Sequence, residues 1–269
     1  MTATSTLRQD TVDTSVPDGQ VLAVRGLTKH FTMHLVDDRV AHALAGVDLD
    51  VAAGEHVALA GASGAGKSTL LRCVYRTYLA SGGRISFRTR DGDVVDLATM
   101  PDANVRALRG QEIGYVSQFL RAEPRRAVLD IVARAGVARG MNADRARKAA
   151  AEALARVGID EALWPVHATV LSGGQKQRVN IAAGTISPPR LLLLDEPVSA
   201  LDPANRGSVL DMIGELESAG VAVLSVFHDL DAIERLARRV VVLRAGQVVE
   251  SGPPDVVLRS SAHYLEVAR

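Results

Sequence analysis

Cysteine is nearly absent from this chain. One, Cys73, occurs in 269 residues, so no disulfide can close within it, and a reducing, cytoplasmic setting is the expectation. Aromatic residues make up only 3%, which leaves Leu, Val, Ile and Ala to fill a core. Charge of neither sign is in excess: Lys plus Arg and Asp plus Glu each total 31. Nothing general therefore draws the chain to nucleic acid or to an anionic surface. Also missing is an apolar run near the ~20 residues that a membrane-spanning helix needs. Direct membrane insertion is not expected, and a membrane partner would be a separate polypeptide. Residues 1–20, rich in Thr, Ser and Asp, lack the apolar stretch of a signal peptide and read as a disordered tail.

What is present is patterned. A hydrophobic content of 47% supplies a sizeable core. The runs 191–194 and 221–227 have the length of buried parallel strands, and so does His56-Val57-Ala58-Leu59-Ala60. Earlier segments differ. Residues 21–34 are strand-like, Val47-Asp48-Leu49-Asp50-Val51 alternates as a half-exposed strand does, and 84–97, broken by Asp91-Gly92, reads as a hairpin. This predicts a small antiparallel subdomain beside a parallel sheet. Residues 68–79 read as a helix stopped by Ser81-Gly82-Gly83, 105–111 as a short helix and 113–117 as a strand. The Ala- and Arg-rich stretch 121–156 carries Ala146, Ala149, Ala150, Ala153, Leu154 and Val157 at helical spacing. It predicts a helical insertion ending near Gly158. From 171 to 248 strands and helices alternate, as in βαβ units on a parallel sheet. The fold class is α/β, in one unit over 21–269 with its helical part at about 120–180.

Two segments carry phosphate chemistry. Gly61-Ala62-Ser63-Gly64-Ala65-Gly66-Lys67-Ser68 follows an apolar strand and opens a helix. Its glycines let backbone N–H groups turn inward around phosphates, and the helix N-terminus adds partial positive charge. Lys67 is placed for the β- and γ-phosphates, Ser68 for Mg²⁺, and Thr69 for the α-phosphate of ATP. Leu191-Leu192-Leu193-Leu194-Asp195-Glu196 delivers two carboxylates to a strand end. Asp195 suits the metal and Glu196 suits a general base on the attacking water. Standing alone, the pair would merely end a strand; beside a phosphate loop it reads as catalytic. A third segment, Leu171-Ser172-Gly173-Gly174-Gln175, is either a helix N-cap with flexible glycines or a second anion cradle that needs no lysine.

With these motifs in this order, the chain resembles the ATP-binding cassette (ABC) ATPases from about residue 21 to 252. The resemblance implies a P-loop parallel-sheet core, a small antiparallel β-subdomain and a helical subdomain bearing the signature. It implies that Ser172, Gly173, Gly174 and Gln175 close over ATP bound by a second ABC subunit, in a homo- or heterodimer. Gln118, directly after a strand, matches the glutamine that contacts Mg²⁺ and the lytic water. His228 matches the switch histidine of the γ-phosphate, and Ser199-Ala200-Leu201-Asp202 matches the loop whose Asp202 acts across the dimer. Phe31, the only Phe, Tyr or Trp before the phosphate loop, is the candidate adenine-stacking ring, or else a buried ring of a small sheet. The family usually has Arg where this chain has Ala183, so a structural pairing is expected to be lost without harm to hydrolysis.

A finer resemblance concerns partners. Val116-Ser117-Gln118-Phe119-Leu120-Arg121 with Pro124-Arg125, then Leu163-Trp164, Gln177-Arg178-Val179-Asn180-Ile181-Ala182 and Phe227-His228-Asp229, are similar to the ATPases of the bacterial phosphonate carbon–phosphorus (C–P) lyase system, the PhnL family. That similarity implies association with soluble C–P lyase subunits in phosphonate breakdown. The charges of Arg121, Glu123, Arg125 and Arg126 stand where lipoprotein-release transporter ATPases have an apolar groove for a permease helix. The alternative is such a transporter ATPase, with a separate permease.

Overall fold

In a computed structural model, the described residues are 16–33, 39–117 and 125–260. Two sheets carry the architecture. The first is antiparallel, order β2-β1-β4-β5, built from β1 (Gln20–Met33), β2 (Arg39–Ala52), β4 (Gly82–Arg88) and β5 (Val94–Asp96). β1 and β2 pair along their length with several register shifts, so the strand-like segment from residue 21 forms one bulged strand that ends, among the described residues, at Met33. The 84–97 hairpin is present, with β4 and β5 paired antiparallel. Residues 1–15 of the expected tail lie outside the described residues, whereas 16–20 belong to the fold. Val16 is buried and its carbonyl accepts from the Arg88 guanidinium.

The second sheet has order β10-β9-β3-β8-β7-β6. Its strands are β3 (His56–Ala60), β6 (Ile113–Val116), β7 (Leu191–Asp195), β8 (Ala222–Val226), β9 (Arg239–Arg244) and β10 (Gln247–Gly252). The pairings β3/β8, β3/β9, β6/β7 and β7/β8 are parallel, and only β10 runs antiparallel to its neighbour. Every residue of β3, β7 and β8 is buried, which is why these strands are continuous apolar runs and not alternating ones. Two cores flank the sheet. Leu59, Leu193, Leu224 and Val241 face one, with Leu70 and Phe87; Ala58, Leu192, Val223 and Val240 face the other, with Val179, Val209 and Ile213.

Helix α1 (Lys67–Val74) follows β3. It is shorter than the predicted 68–79 because Arg76 takes a left-handed φ of 66° and the Thr77 and Tyr78 amides fold back to the Arg72 carbonyl. Next comes α2 (Asp102–Gln111). The helical insertion is two helices, α3 (Val128–Ala138) and α4 (Ala143–Arg156), separated by a turn at Gly140 with φ 87°. The chain then runs through α5 (Gly173–Thr185), α6 (Pro203–Ser218), α7 (Leu230–Leu236) and α8 (Pro254–Ser260). Among the described residues no helix is long and apolar enough to cross a membrane. Cys73 is buried in α1, and burial pushes its thiol up to about 11, as fits a small packing residue.

The expected loss at Ala183 is offset from another element. Arg139, at the end of α3, donates to the carbonyls of Ala183 and Gly184 at 3.0 and 2.9 Å. A guanidinium therefore satisfies the C-terminal carbonyls of α5, although it does not come from α5 itself.

Candidate active site

The parallel strands β3, β7 and β8 run side by side, so their carboxyl ends deliver three segments to one edge of the sheet. After β3 comes the phosphate loop, at the end of β7 stand Asp195 and Glu196, and just beyond β8 is His228. One pocket at that edge is lined by Ser63, Gly64, Ala65, Gly66, Lys67, Ser68 and Thr69, with Ala43, Glu196 and His228. The phosphate-loop residues and the candidate base and switch thus share a cavity.

The loop's shape depends on glycine. Gly61 and Gly66 have φ of 133° and 108°. A Cβ at Gly61 would lie 2.2 Å from the Leu243 carbonyl oxygen, and one at Gly66 would lie 2.6 Å from that of Ala43. Both positions exclude a side chain by space as well as by conformation. Lys67 is buried, and its ammonium donates to the carbonyls of Gly61 and Ala62 at 2.5 and 2.9 Å. That holds a positive charge at the loop, beside the start of α1.

Ser68 Oγ donates to Asp195 Oδ1 at 2.7 Å. Asp195 is 3% exposed, and its second oxygen accepts from the Tyr115 hydroxyl at 3.0 Å, with the Arg72 guanidinium 3.6 Å away. A serine hydroxyl next to a buried carboxylate is the oxygen donor pair that Mg²⁺ takes when phosphates complete its shell. The residues therefore fit the metal. Among the described residues no cluster of three His, Cys, Asp or Glu could hold a metal by protein groups alone. Burial, followed by the Asp195 charge, pushes the Tyr115 phenol up, so it stays a donor.

Glu196 has φ 54°, a left-handed conformation rare for a residue with a side chain. Its amide donates to Val226 O at 3.0 Å, and the Ser199 hydroxyl donates to its carbonyl at 3.1 Å. Its carboxylate Oε1 stands 2.8 Å from His228 Nε2, so base and switch candidates are directly hydrogen-bonded. The following residue, Asp229, caps α7 through the amides of Asp231 and Ala232 and is ion-paired with Arg206 of α6.

The remaining candidates lie elsewhere. Ser172 and Gln175 form a reciprocal capping box at the start of α5, with Ser172 N donating to Gln175 Oε1 at 2.9 Å and Gln175 N to Ser172 Oγ at 3.3 Å. Ser172 and Gly173 are exposed, and none of residues 172–175 lines the phosphate pocket. Asp202 caps α6, and hydrogen bonds from Asn205 hold its carboxyl below the usual range. Gln118 lies outside the described residues. Phe31 is half-buried in β1 opposite Ala41, edge-on to Tyr78 at 5.3 Å and with Lys29 Nζ 4.7 Å above its ring. It does not line the pocket, although Ala43, two residues beyond its partner, does.

Three contributors escaped the motif reading. Tyr115 reaches Asp195 from a neighbouring strand. Gln177 and Asn180 of α5 both donate to the Ser117 carbonyl, at 3.3 and 2.6 Å, so the signature helix grips the strand end that leads into Gln118. Buried amides inside a helix were the available signal, since such groups require partners.

Comparison with known proteins agrees with this geometry. The family model described as "ABC transporter" matches residues 44–199. The chain is 37% identical over 254 residues to a putative peptide import ATP-binding protein of Brucella melitensis, covering 90% of this chain and 74% of that one. It is 35% identical to the glutamine transport ATP-binding protein GlnQ of Escherichia coli, over 86% of this chain and 92% of the relative. The dimeric post-hydrolysis structure of the cassette MJ0796 bound to ADP and Pi superposes with a TM-score of 0.78 at 26% identity, covering 87% of this chain and 98% of that one. The relatives are named for transport and do not carry the C–P lyase resemblance with them. By family model, relatives and fold, the chain belongs to the ABC transporter family and is an ATPase cassette of it.

Proposed function

We propose that this chain is the ATP-binding and ATP-hydrolysing subunit of a transporter, acting as a nucleotide-driven dimer at the cytoplasmic face of a membrane against a separate permease. The observation that carries the reading is the single pocket in which residues 63–69 meet Glu196 and its partner His228. Loop amides and Lys67 bind the phosphates. Ser68 and Asp195 hold Mg²⁺, which when bound neutralises charge developing on the β- and γ-phosphate oxygens. Glu196 takes the proton of the attacking water, and His228 orients Glu196 through the 2.8 Å contact. Gln118 joins the metal and water. Ser172, Gly173, Gly174, Gln175 and Asp202 serve the site of the second subunit, and Phe31 lies against the adenine. The exposure of the signature, away from its own pocket, supports a role across an interface.

Relatives named for peptide import, glutamine transport and methionine import support a permease partner over soluble C–P lyase subunits. The phosphonate reading rests on scattered identities and on charges at 121–126, of which residues 121–124 lie outside the described structure. Tagging the chain in its native host and purifying it from detergent-extracted membranes decides between them. Transport predicts recovery with an integral membrane permease. Recovery only from the soluble fraction with phosphonate-cleaving proteins, and loss of that cleavage on deletion, would favour the second reading.

A further inference from the structure

We infer that Tyr115 is the positioning residue of Asp195, fixing the carboxylate so that one oxygen faces the cation beside Ser68. The inference rests on the Mg²⁺–ATP reading above and deepens it. A carboxylate turns about a single bond, so a donor on one oxygen sets the direction of the other. Here each oxygen has its own donor: Ser68 Oγ holds Oδ1 at 2.7 Å and the Tyr115 hydroxyl holds Oδ2 at 3.0 Å. The Arg72 guanidinium, 3.6 Å from Oδ2, adds positive charge on the Tyr115 side.

Tyr115 is itself fixed. Its backbone pairs with Leu193 in β7, two residues before Asp195, and its ring stacks on Tyr75 with centroids 4.7 Å apart and planes at 19°. Tyr75 is clamped in turn: the Arg109 guanidinium lies 4.5 Å over its ring and Arg109 Nε donates to its carbonyl at 2.6 Å. The ring serves the stack on Tyr75, and the hydroxyl reaches Asp195. Tyr115 does not line the nucleotide pocket, so its influence runs through Asp195 and hence through the metal. Hydrogen-bond partners of metal-ligating carboxylates commonly change metal affinity by about 10- to 100-fold when removed.

The test is Tyr115→Phe in the full chain, which removes one hydroxyl and keeps the stacked ring. A fluorescent ATP analogue is titrated in excess Mg²⁺ and again in EDTA. Affinity in EDTA should stay within about twofold of the parent, while the gain on adding Mg²⁺ shrinks by about tenfold. Tyr75→Leu, which frees the ring but spares the hydroxyl, should show the same Mg²⁺-selective loss to a smaller degree. An unchanged Mg²⁺ gain in both variants, or equal losses with and without Mg²⁺, overturns the positioning role. If the parent binds no analogue in either condition, the nucleotide reading itself falls and takes this role with it.

Discussion

Gly61 and Gly66 show how far a phosphate site is decided by what single residues leave out. At both, a methyl group would enter the space of a backbone carbonyl oxygen, at 2.2 and 2.6 Å, and neither carbonyl can retreat as a flexible side chain could. Gly66→Ala should therefore weaken ATP binding by at least about tenfold. Equilibrium binding alongside thermal melting checks this; unchanged affinity would show that the loop does not need its observed shape. Lys67 is the complementary case, a buried cation held by two loop carbonyls. Lys67→Ala removes that charge and should abolish detectable nucleotide binding, measured in the same titration.

At the scale of elements, β3 and β8 are joined by more than their ladder. His56 Nε2 lies 2.7 Å from Ser225 Oγ in the middle of the sheet, and burial pushes the imidazole down to about 3. An unfolded chain titrates this histidine near 6.5, so between those values only the unfolded state binds the proton. Stability is full above about pH 6.5 and declines as pH falls towards 3, by at most about 1.4 kcal/mol per unit. His56→Gln retains a partner for Ser225 without titrating. Its melting temperature should fall less between pH 7.5 and 5 than that of the parent; parallel declines would refute this role of His56.

Strand identity was legible because the buried parallel strands are unbroken apolar runs, and Lys67, Ser68, Asp195 and Glu196 were legible because each lies in a contiguous motif. The Tyr115–Asp195 bond and the grip of Asn180 on Ser117 were not, since partners 80 and 63 residues apart leave no local pattern. The end of α1 was misplaced for a related reason. Arg76 adopts a left-handed backbone with no glycine to announce it.

For the whole molecule, the proposed function makes the site of one copy incomplete. Residues 63–69, Glu196 and His228 line the phosphate pocket, but residues 172–175 stand apart from it at the start of α5. Ser172→Arg, which places a bulky cation at an exposed helix start, should leave ATP binding by the dilute subunit within about twofold and suppress hydrolysis almost completely. Collapse of binding in the monomer would instead mean that the signature serves its own site. The central claim is an ATPase whose catalytic state is a nucleotide-bound dimer, and Glu196→Gln tests it most directly. The substitution removes the base and spares Lys67, Ser68 and Asp195. Size-exclusion chromatography with light scattering should show a monomer without nucleotide and a stable dimer in MgATP, with turnover reduced by at least about a hundredfold. A variant that stays monomeric in MgATP while hydrolysing ATP near the parental rate would contradict the account.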